Sequence, residues 1–206
     1  MKVILVNGSP HEKGSTYTSL CETAKALNDS GIETEIFWLG IDSLAGCIGC
    51  GSCGKTGKCF RNDKVNELSE KLDGADGFVF GSPVHYASAS GALTAFMDRL
   101  FMSSGNKLRG KPAAAVVSCR RGGASAAFDQ INKYFTINTM PIVSSQYWNQ
   151  VHGNNADEVC QDEEGMQTLR ILGKNMAWLI KCIKLGKDNG ITMPELEAKI
   201  KTNYIR

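Results

Sequence analysis

Short apolar runs alternate with longer amphipathic stretches along this chain. The runs predict strands over residues 2–7, 33–39, 77–81 and 113–118, with a fifth strand beginning at residues 141–143. Most of these runs are apolar at nearly every position, which is typical of strands that are buried on both faces. The pattern therefore predicts a sheet that is covered on both sides.

The stretches between the runs carry apolar residues at helical spacing. They predict helices over residues 18–30, 63–72, 91–101, 124–134 and 162–185. Parallel neighbouring strands need a crossover connection, which is usually a helix. Strands that alternate with helices therefore indicate an α/β fold with a parallel sheet. The segment after the third strand, up to the next helix, is predicted to be a loop.

The loop after the first predicted strand is rich in hydroxyl groups. Ser9, Ser15, Thr16 and Thr18 lie just before or at the start of the first predicted helix. Free N–H groups at a helix amino terminus attract an anion such as phosphate. The loop contains neither G-x-x-x-x-G-K-[ST] nor G-x-G-x-x-G, which disfavours the two common nucleotide loops. A phosphate monoester such as that of FMN fits, although Ser and Thr also cap helices without any ligand.

The composition is that of a globular protein, and its 206 residues fit one domain. The 23 basic and 21 acidic side chains are scattered and leave a formal charge of +2, so we expect no nucleic-acid binding. The apolar run at the amino terminus is too short for a signal peptide or a membrane span. We therefore expect a cytoplasmic protein without membrane contact.

Four of the eight cysteines lie within thirteen residues, at Cys47, Cys50, Cys53 and Cys59. Their C-x2-C-x2-C-x5-C spacing, with glycines between them, suits a 4Fe-4S cluster. A structural zinc site and a metal-free loop remain as alternatives. We expect a single domain over residues 1–206, with this cysteine-rich insert at residues 45–60 and a C-terminal tail from about residue 187.

Three segments together resemble one protein family. They read VNGSPHEKGST after the first strand, ADGFVFGSPVHYASASGALTAFMDR around the third, and VVSCRRGGA after the fourth. The chain resembles the flavodoxin-like NAD(P)H-dependent FMN reductases and, within them, the iron-sulfur flavoproteins. The resemblance implies a flavodoxin-like, doubly wound, five-stranded parallel sheet with helices on both faces.

The resemblance also implies which residues bind FMN. The first loop would hold the phosphate with Ser9, His11, Ser15, Thr16 and Thr18, where His11 replaces the arginine of many relatives. The second loop would wrap the isoalloxazine ring with Pro83, Val84, His85, Tyr86, Ala87 and Ser88. The third loop would complete the site with Ser118, Arg120, Gly122 and Gly123.

The expected function is that of an FMN-dependent oxidoreductase. It would transfer electrons from NAD(P)H to a small acceptor, namely a quinone, a flavin, an azo compound or a nitro compound. The alternative is an iron-sulfur flavoprotein that carries electrons from ferredoxin, and a non-redox domain with another phosphate ligand is a third hypothesis. No catalytic side chain is assigned, because the flavin itself carries the chemistry. The resemblance also implies a homo-oligomer, whereas Asp98 and Arg99 are interpreted as a helix-end salt bridge or an oligomer contact.

Overall fold

Five parallel strands form the centre of the protein. The computed structural model describes residues 1–205. Its strands, numbered β1 to β6, are Lys2–Asn7, Glu33–Trp38, Gly77–His85, Ser88–Ala89, Ala113–Cys119 and Gln150–His152. The parallel strands follow the order β2-β1-β3-β5-β6, while the two-residue β4 pairs antiparallel with β3. The predicted five-stranded parallel sheet is therefore confirmed.

Helices cover both faces of this sheet. The helices, numbered α1 to α7, are Ser15–Asp29, Cys53–Thr56, Lys64–Lys71, Gly91–Leu108, Ala124–Ile137, Ala156–Cys160 and Glu163–Asp188. Helices α3, α4 and α5 contribute to the apolar core on one face, and α1 and α7 contribute to the core on the other. The short helices α2 and α6 were not predicted.

Strand β1 shows how the sequence pattern produces two cores. Ile4 and Val6 belong to one core, and Val3 and Leu5 belong to the other. Successive side chains of a strand point to opposite faces, so a strand that is apolar at every position supplies both cores. All four side chains are fully buried. Each contributes roughly 1.5–3 kcal/mol relative to an exposed position.

The prediction that the fifth strand begins at residues 141–143 is wrong. There, Ile142 forms only an isolated parallel bridge with Ala113. The strand itself is β6, which begins at Gln150 and pairs with the carboxyl half of β5.

The register explains this displacement. From Ala113 to Val117, β5 advances by four residues, whereas the chain beside it advances by eight, from Ile142 to Gln150. The additional residues leave the sheet, so an apolar run could not locate the strand. The side chain of Asn149 donates a 3.0 Å hydrogen bond to the carbonyl oxygen of Ala115 on β5. This bond satisfies a backbone group that a neighbouring strand would otherwise pair with.

The predicted loop after the third strand is a tight hairpin instead. Strand β3 extends to His85 and pairs with β4, Val84 opposite Ala89. The turn residues Tyr86 and Ala87 have φ angles of 50° and 59°. Such left-handed conformations cost roughly 1–2 kcal/mol for residues other than glycine. The sequence lacks the Asn-Gly or Asp-Gly signal of this turn, which is why the hairpin was missed.

Several helix boundaries also differ from the predicted ones. Helix α1 begins three residues earlier than predicted, at Ser15, and α4 continues beyond residue 101 to Leu108. The long helix α7 ends at Asp188, and residues 191–205 form neither helix nor strand. Over residues 1–205, no helix combines the length and the apolar character that crossing a bilayer requires.

Candidate functional site

The first loop leads into a helix whose amino terminus is open. Gly14 occupies the N-cap position of α1, and no side chain within residues 1–205 caps this helix. The hydroxyl of Thr18 donates to the carbonyl oxygen of Gly14 at 3.3 Å, in the opposite sense to a cap. The alternative in which Ser and Thr cap this helix is therefore wrong. The first N–H groups of α1 remain available for an anion.

Hydrogen bonds hold the first loop in one shape. The side chain of Asn7 accepts from the N–H of Ser9 at 3.1 Å and donates to the carbonyl oxygen of Glu12 at 3.1 Å. The hydroxyl of Ser9 accepts from the N–H of His11 at 3.1 Å. The indole of Trp38 donates to the carbonyl oxygen of Ser9 at 2.8 Å. The sequence interpretation missed Asn7 and Trp38, which act on backbone atoms rather than on a ligand.

Two of the predicted FMN residues connect the start of α1 with the end of β5. The hydroxyl groups of Thr16 and Ser118 lie 2.9 Å apart, and the two residues are 1% and 4% exposed. Each hydroxyl therefore has a buried protein partner. The structure places Thr16 and Ser118 as a buried link between the first turn of α1 and the carboxyl end of β5.

The hairpin of β3 and β4 packs directly against the third loop. Gly123 has a φ of +90°, and a Cβ atom built there would lie 2.7 Å from the Cα of Ala87 and 3.0 Å from a methyl group of Val84. Only glycine permits both this backbone conformation and this close approach. The structure therefore brings the predicted second and third walls of the site together.

A glutamine and a serine fix the hairpin to the rest of the site. The side-chain oxygen of Gln130 on α5 accepts from the hydroxyl of Ser88 at 2.7 Å and from the N–H of Ala89 at 3.0 Å. The hydroxyl of Ser90 donates to the carbonyl oxygen of Gly8 at 2.7 Å and caps α4. Gln130 was not predicted, because it lies in the middle of a helix that is distant in sequence.

The predicted FMN residues lie around the carboxyl ends of β1, β3 and β5, where open α/β sheets bind ligands. The buried or half-buried ones are Ser9, Ser15, Thr16, Thr18, Pro83, Val84, Ser88, Ser118 and Gly123. The exposed ones are His11, His85, Tyr86, Ala87, Arg120 and Gly122. The buried and half-buried residues of this set are mostly small or hydroxyl-bearing, and the one arginine of the set, Arg120, is exposed.

The four clustered cysteines line one cavity of about 140 Å³ beside α4. Arg99, Met102 and Phe60 complete its walls. The eight cysteines of the chain are all free thiols. Within residues 1–205, no three His, Cys, Asp or Glu side chains are arranged closely enough to bind a metal ion. The cavity thus assembles a four-thiol donor set without the convergence of a formed metal site.

A hydrogen bond within the motif favours thiolate chemistry. The sulfur of Cys50 and the hydroxyl of Ser52 lie 3.5 Å apart. This hydrogen bond lowers the pKa of the exposed Cys50 thiol. The thiolate is the form of cysteine that binds metals.

Asn66 on α3 anchors the end of the cysteine segment. Its side-chain oxygen accepts from the N–H of Cys59 at 3.0 Å, and its amide donates to the carbonyl oxygens of Cys59 and Arg61 at 2.9 and 3.1 Å. Asn66 is 7% exposed. Together with Arg99 it positions the fourth cysteine, and neither residue was predicted to take part in the site.

Known proteins resemble this chain in sequence and in fold. Residues 1–155 match the family described as NADPH-dependent FMN reductase. An iron-sulfur flavoprotein of Methanocaldococcus jannaschii is 37% identical over 192 residues, which cover 89% of this chain and 100% of the relative.

Two solved structures share the fold at low sequence identity. A flavodoxin from the domain Archaea superposes with a TM-score of 0.59 at 18% identity, over 88% of this chain and 99% of that one. A flavone reductase superposes with a TM-score of 0.69 at 18% identity, over 89% and 64%. These likenesses confirm the flavodoxin-like fold.

Proposed function

Because the chain belongs to the iron-sulfur flavoprotein branch of the NADPH-dependent FMN reductase family and is an FMN-dependent oxidoreductase, we propose that it takes electrons from NAD(P)H and passes them to a small acceptor. The acceptor would be a quinone, a flavin, an azo compound or a nitro compound. The observation that carries this proposal is the open amino terminus of α1, at the end of a preformed hydroxyl-rich loop.

The geometry of the three loops supports FMN as the ligand. The phosphate would meet the free N–H groups of α1 and the hydroxyl of Ser15, with His11 at the rim. The flat ring would lie along the hairpin and the third loop, where Gly122 and Gly123 present backbone rather than side chains. Bound FMN supplies the electron transfer, while the protein supplies orientation and excludes water.

A comparison of FMN with riboflavin tests the phosphate site. Riboflavin lacks the phosphate, so we expect the apoprotein to bind FMN at least about a hundredfold more tightly, since several charge-assisted hydrogen bonds of roughly 1.5–3 kcal/mol each are lost. Flavin fluorescence titration measures both dissociation constants. Equal affinity for the two flavins would overturn the assignment of the loop.

A kinetic experiment tests the identity of the electron donor. We expect NADPH or NADH to bleach the absorbance of bound FMN within seconds under anaerobic conditions, and a quinone to restore it. Stopped-flow absorbance with each nicotinamide, followed by each acceptor class, measures these steps. A flavin that neither nicotinamide reduces would contradict the proposed donor.

We further propose that Cys47, Cys50, Cys53 and Cys59 hold a 4Fe-4S cluster. The donor set fits, because four thiols line one cavity and the sulfur of Cys59 accepts hydrogen bonds from the guanidinium group of Arg99. The name of the Methanocaldococcus relative supports the same ligand. Iron and acid-labile sulfide assays on anaerobically purified protein distinguish this cluster from zinc and from an empty site.

The exposure of Cys47 and Cys50 favours a second candidate, an electron carrier that accepts electrons from ferredoxin. Ile48, Phe60 and Met102 are each more than half exposed around the cysteine cavity, a surface that a redox partner could cover. Rapid reduction by ferredoxin, with indifference to both nicotinamides, would establish the carrier.

Two further expectations concern the setting of the protein. We propose a cytoplasmic location, because free thiols persist in a reducing compartment. We also propose a homo-oligomer, for which Tyr147 and Trp148, each 52% exposed, are candidate contacts. Light scattering measures the number of subunits.

A further inference from the structure

Arg99 is a buried cation that is directed at the cysteine segment. It lies in the middle of α4 and is 2% exposed. Its Nε and Nη2 atoms each donate a 3.3 Å hydrogen bond to the sulfur of Cys59. The same guanidinium donates to the carbonyl oxygens of Ala45 and Arg61, both at 3.3 Å. Arg99 thus contacts the segment before the first cysteine, after the last cysteine, and at the last cysteine itself.

A carboxylate holds this guanidinium in place. Asp63 accepts from both Nη atoms of Arg99, at 2.7 and 2.9 Å. The same carboxylate caps α3 by accepting from the N–H of Val65 at 3.1 Å. The orientation of Arg99 is therefore fixed through both of its Nη atoms. The expected salt bridge at a helix end is present, because Asp63 is the N-cap of α3, although Arg99 itself lies in the middle of α4.

We propose that Arg99 is a positioning residue that raises the reduction potential of the cluster held by Cys47, Cys50, Cys53 and Cys59. The inference rests on the proposed cluster. An iron-sulfur cluster gains one negative charge when it is reduced by one electron. Hydrogen bonds that N–H groups donate to a ligand sulfur stabilise that charge. The positive charge of Arg99 acts in the same direction, and burial protects it from screening.

The first test replaces Arg99 with lysine in the full chain, purified anaerobically with its cluster. Arg99→Lys keeps the charge but loses the planar fork that reaches Asp63 and the sulfur at once. We expect the ratio of oxidised to reduced cluster at a fixed potential to rise by about tenfold. For a one-electron couple this corresponds to a midpoint potential that is about 59 mV lower than in the wild type. A redox titration followed by electron paramagnetic resonance measures this shift.

Arg61→Lys is the matched control. Arg61 lines the same cavity, and its side chain stacks on Phe60 with 5.1 Å between the guanidinium carbon and the ring centre. Its side chain makes no hydrogen bond to a cysteine sulfur within the described residues 1–205. We expect the midpoint potential of this variant to equal that of the wild type.

In a second variant, Asp63→Asn, we expect the midpoint potential of the cluster to shift in the opposite direction. Asparagine is as good an N-cap as aspartate, so α3 is preserved. The charge of Arg99 is then no longer neutralised, and we expect the cluster to be easier to reduce, with at least about a threefold change in the same ratio. A residue with a purely structural role would not move the two potentials in opposite directions.

The possible outcomes separate this inference from the proposed function. Wild-type protein without iron and sulfide would overturn the cluster and the role of Arg99 together. A loaded Arg99→Lys variant with the wild-type potential would overturn the role of Arg99 alone. If Arg99→Lys holds no cluster, Asp63→Asn decides the question: a raised potential supports the inference, and an unchanged or lowered potential overturns it.

Discussion

The flavin loops and the cysteine segment are built in different ways. The flavin loops follow directly from buried strands. Buried hydrogen bonds fix the elements around them, such as the one between Thr16 on α1 and Ser118 on β5 and the one from Ser90 to Gly8. The cysteine segment contains a single helical turn, and its last cysteine is held by the side chains of Arg99 and Asn66. The backbone of the fold therefore shapes the first site, and a few side chains shape the second.

This difference predicts how each site responds to mutation. A site that is shaped by backbone should be sensitive where the backbone itself is crowded, and tolerant elsewhere. A segment that depends on a few side chains should lose its geometry when one of them is removed, while the flavin loops remain intact. The two sites should therefore fail independently.

The largest effect is expected at the crowded backbone of the flavin loops. Gly123→Ala places a methyl group against Ala87 at a φ of +90°. We expect the free energy of unfolding to fall by about 2–4 kcal/mol from strain and overpacking, with weaker FMN binding. Urea unfolding and flavin titration measure both. Gly122→Ala is the control for the free energy of unfolding, because a Cβ there meets no atom within 4 Å. An equal loss of unfolding free energy in the two variants would contradict the role of crowding at Gly123.

A smaller effect is expected when the anchor of the cysteine segment is removed. Asn66→Ala removes three hydrogen bonds to backbone groups of Cys59 and Arg61, and of these groups the carbonyl oxygen of Arg61 keeps its hydrogen bond from Arg99. We expect a loss of about 1–3 kcal/mol in unfolding free energy and a lower iron content per chain. The dissociation constant of FMN should stay at its wild-type value.

The exposed neighbour Glu67 provides the control for this variant. Glu67→Ala removes a surface ion pair with Lys64, whose side chains are both more than one-third exposed. Such pairs contribute roughly 0–1 kcal/mol. Iron and FMN contents should match the wild type. A parallel loss of FMN in Asn66→Ala alone would show that the two sites are coupled.

The buried hydrogen bond between Thr16 on α1 and Ser118 on β5 should contribute about 1–2 kcal/mol to the free energy of unfolding. Thr16→Val keeps the shape of the side chain but leaves the hydroxyl of Ser118 without its partner. The double variant Thr16→Val/Ser118→Ala should recover part of this loss. A double-mutant cycle in urea measures the coupling. A coupling energy near zero would mean that packing alone holds α1 against β5 at this point.

The smallest effect is expected at the opposite end of the sheet. A hydrogen bond from Lys2, with a smaller contribution from Lys71, lowers the pKa of the Glu35 carboxyl below its ordinary value of 4.5. A lowered pKa in the folded state means that the stabilisation is present above pH 4.5 and is lost as the pH falls through the folded-state value. For this partly exposed cluster we expect less than about 1 kcal/mol.

Unfolding of the wild type and of Glu35→Gln between about pH 6 and pH 3, a range that brackets the ordinary carboxyl pKa, measures this contribution. The difference between the two proteins should shrink as the pH falls. Binding of FMN and iron should be the same in both proteins, because the cluster of charges lies away from both sites. A difference that grows at low pH would contradict the direction of the pKa shift.

Much of the fold was predictable, because its signals are local. Strand β1 was placed with its observed bounds, and the buried runs of β3 and β5 were recognised from uninterrupted apolar residues. The family was predicted from three short motifs and is confirmed. The fifth strand was misplaced, because residues between Ile142 and Gln150 leave the sheet without any change in polarity that marks the departure.

The alternation of strands and helices, the apolar faces of both cores and the spacing of the four cysteines are visible in the amino-acid sequence, since each depends on residues that are close along the chain. The contacts of Thr16 with Ser118, 102 residues away, and of Arg99 with Cys59, 40 residues away, are visible only in the folded structure. Such contacts exist only after the sheet has brought its loops and helices together. The geometry of a site assembled in this way is a property of the closed fold and not of any one segment.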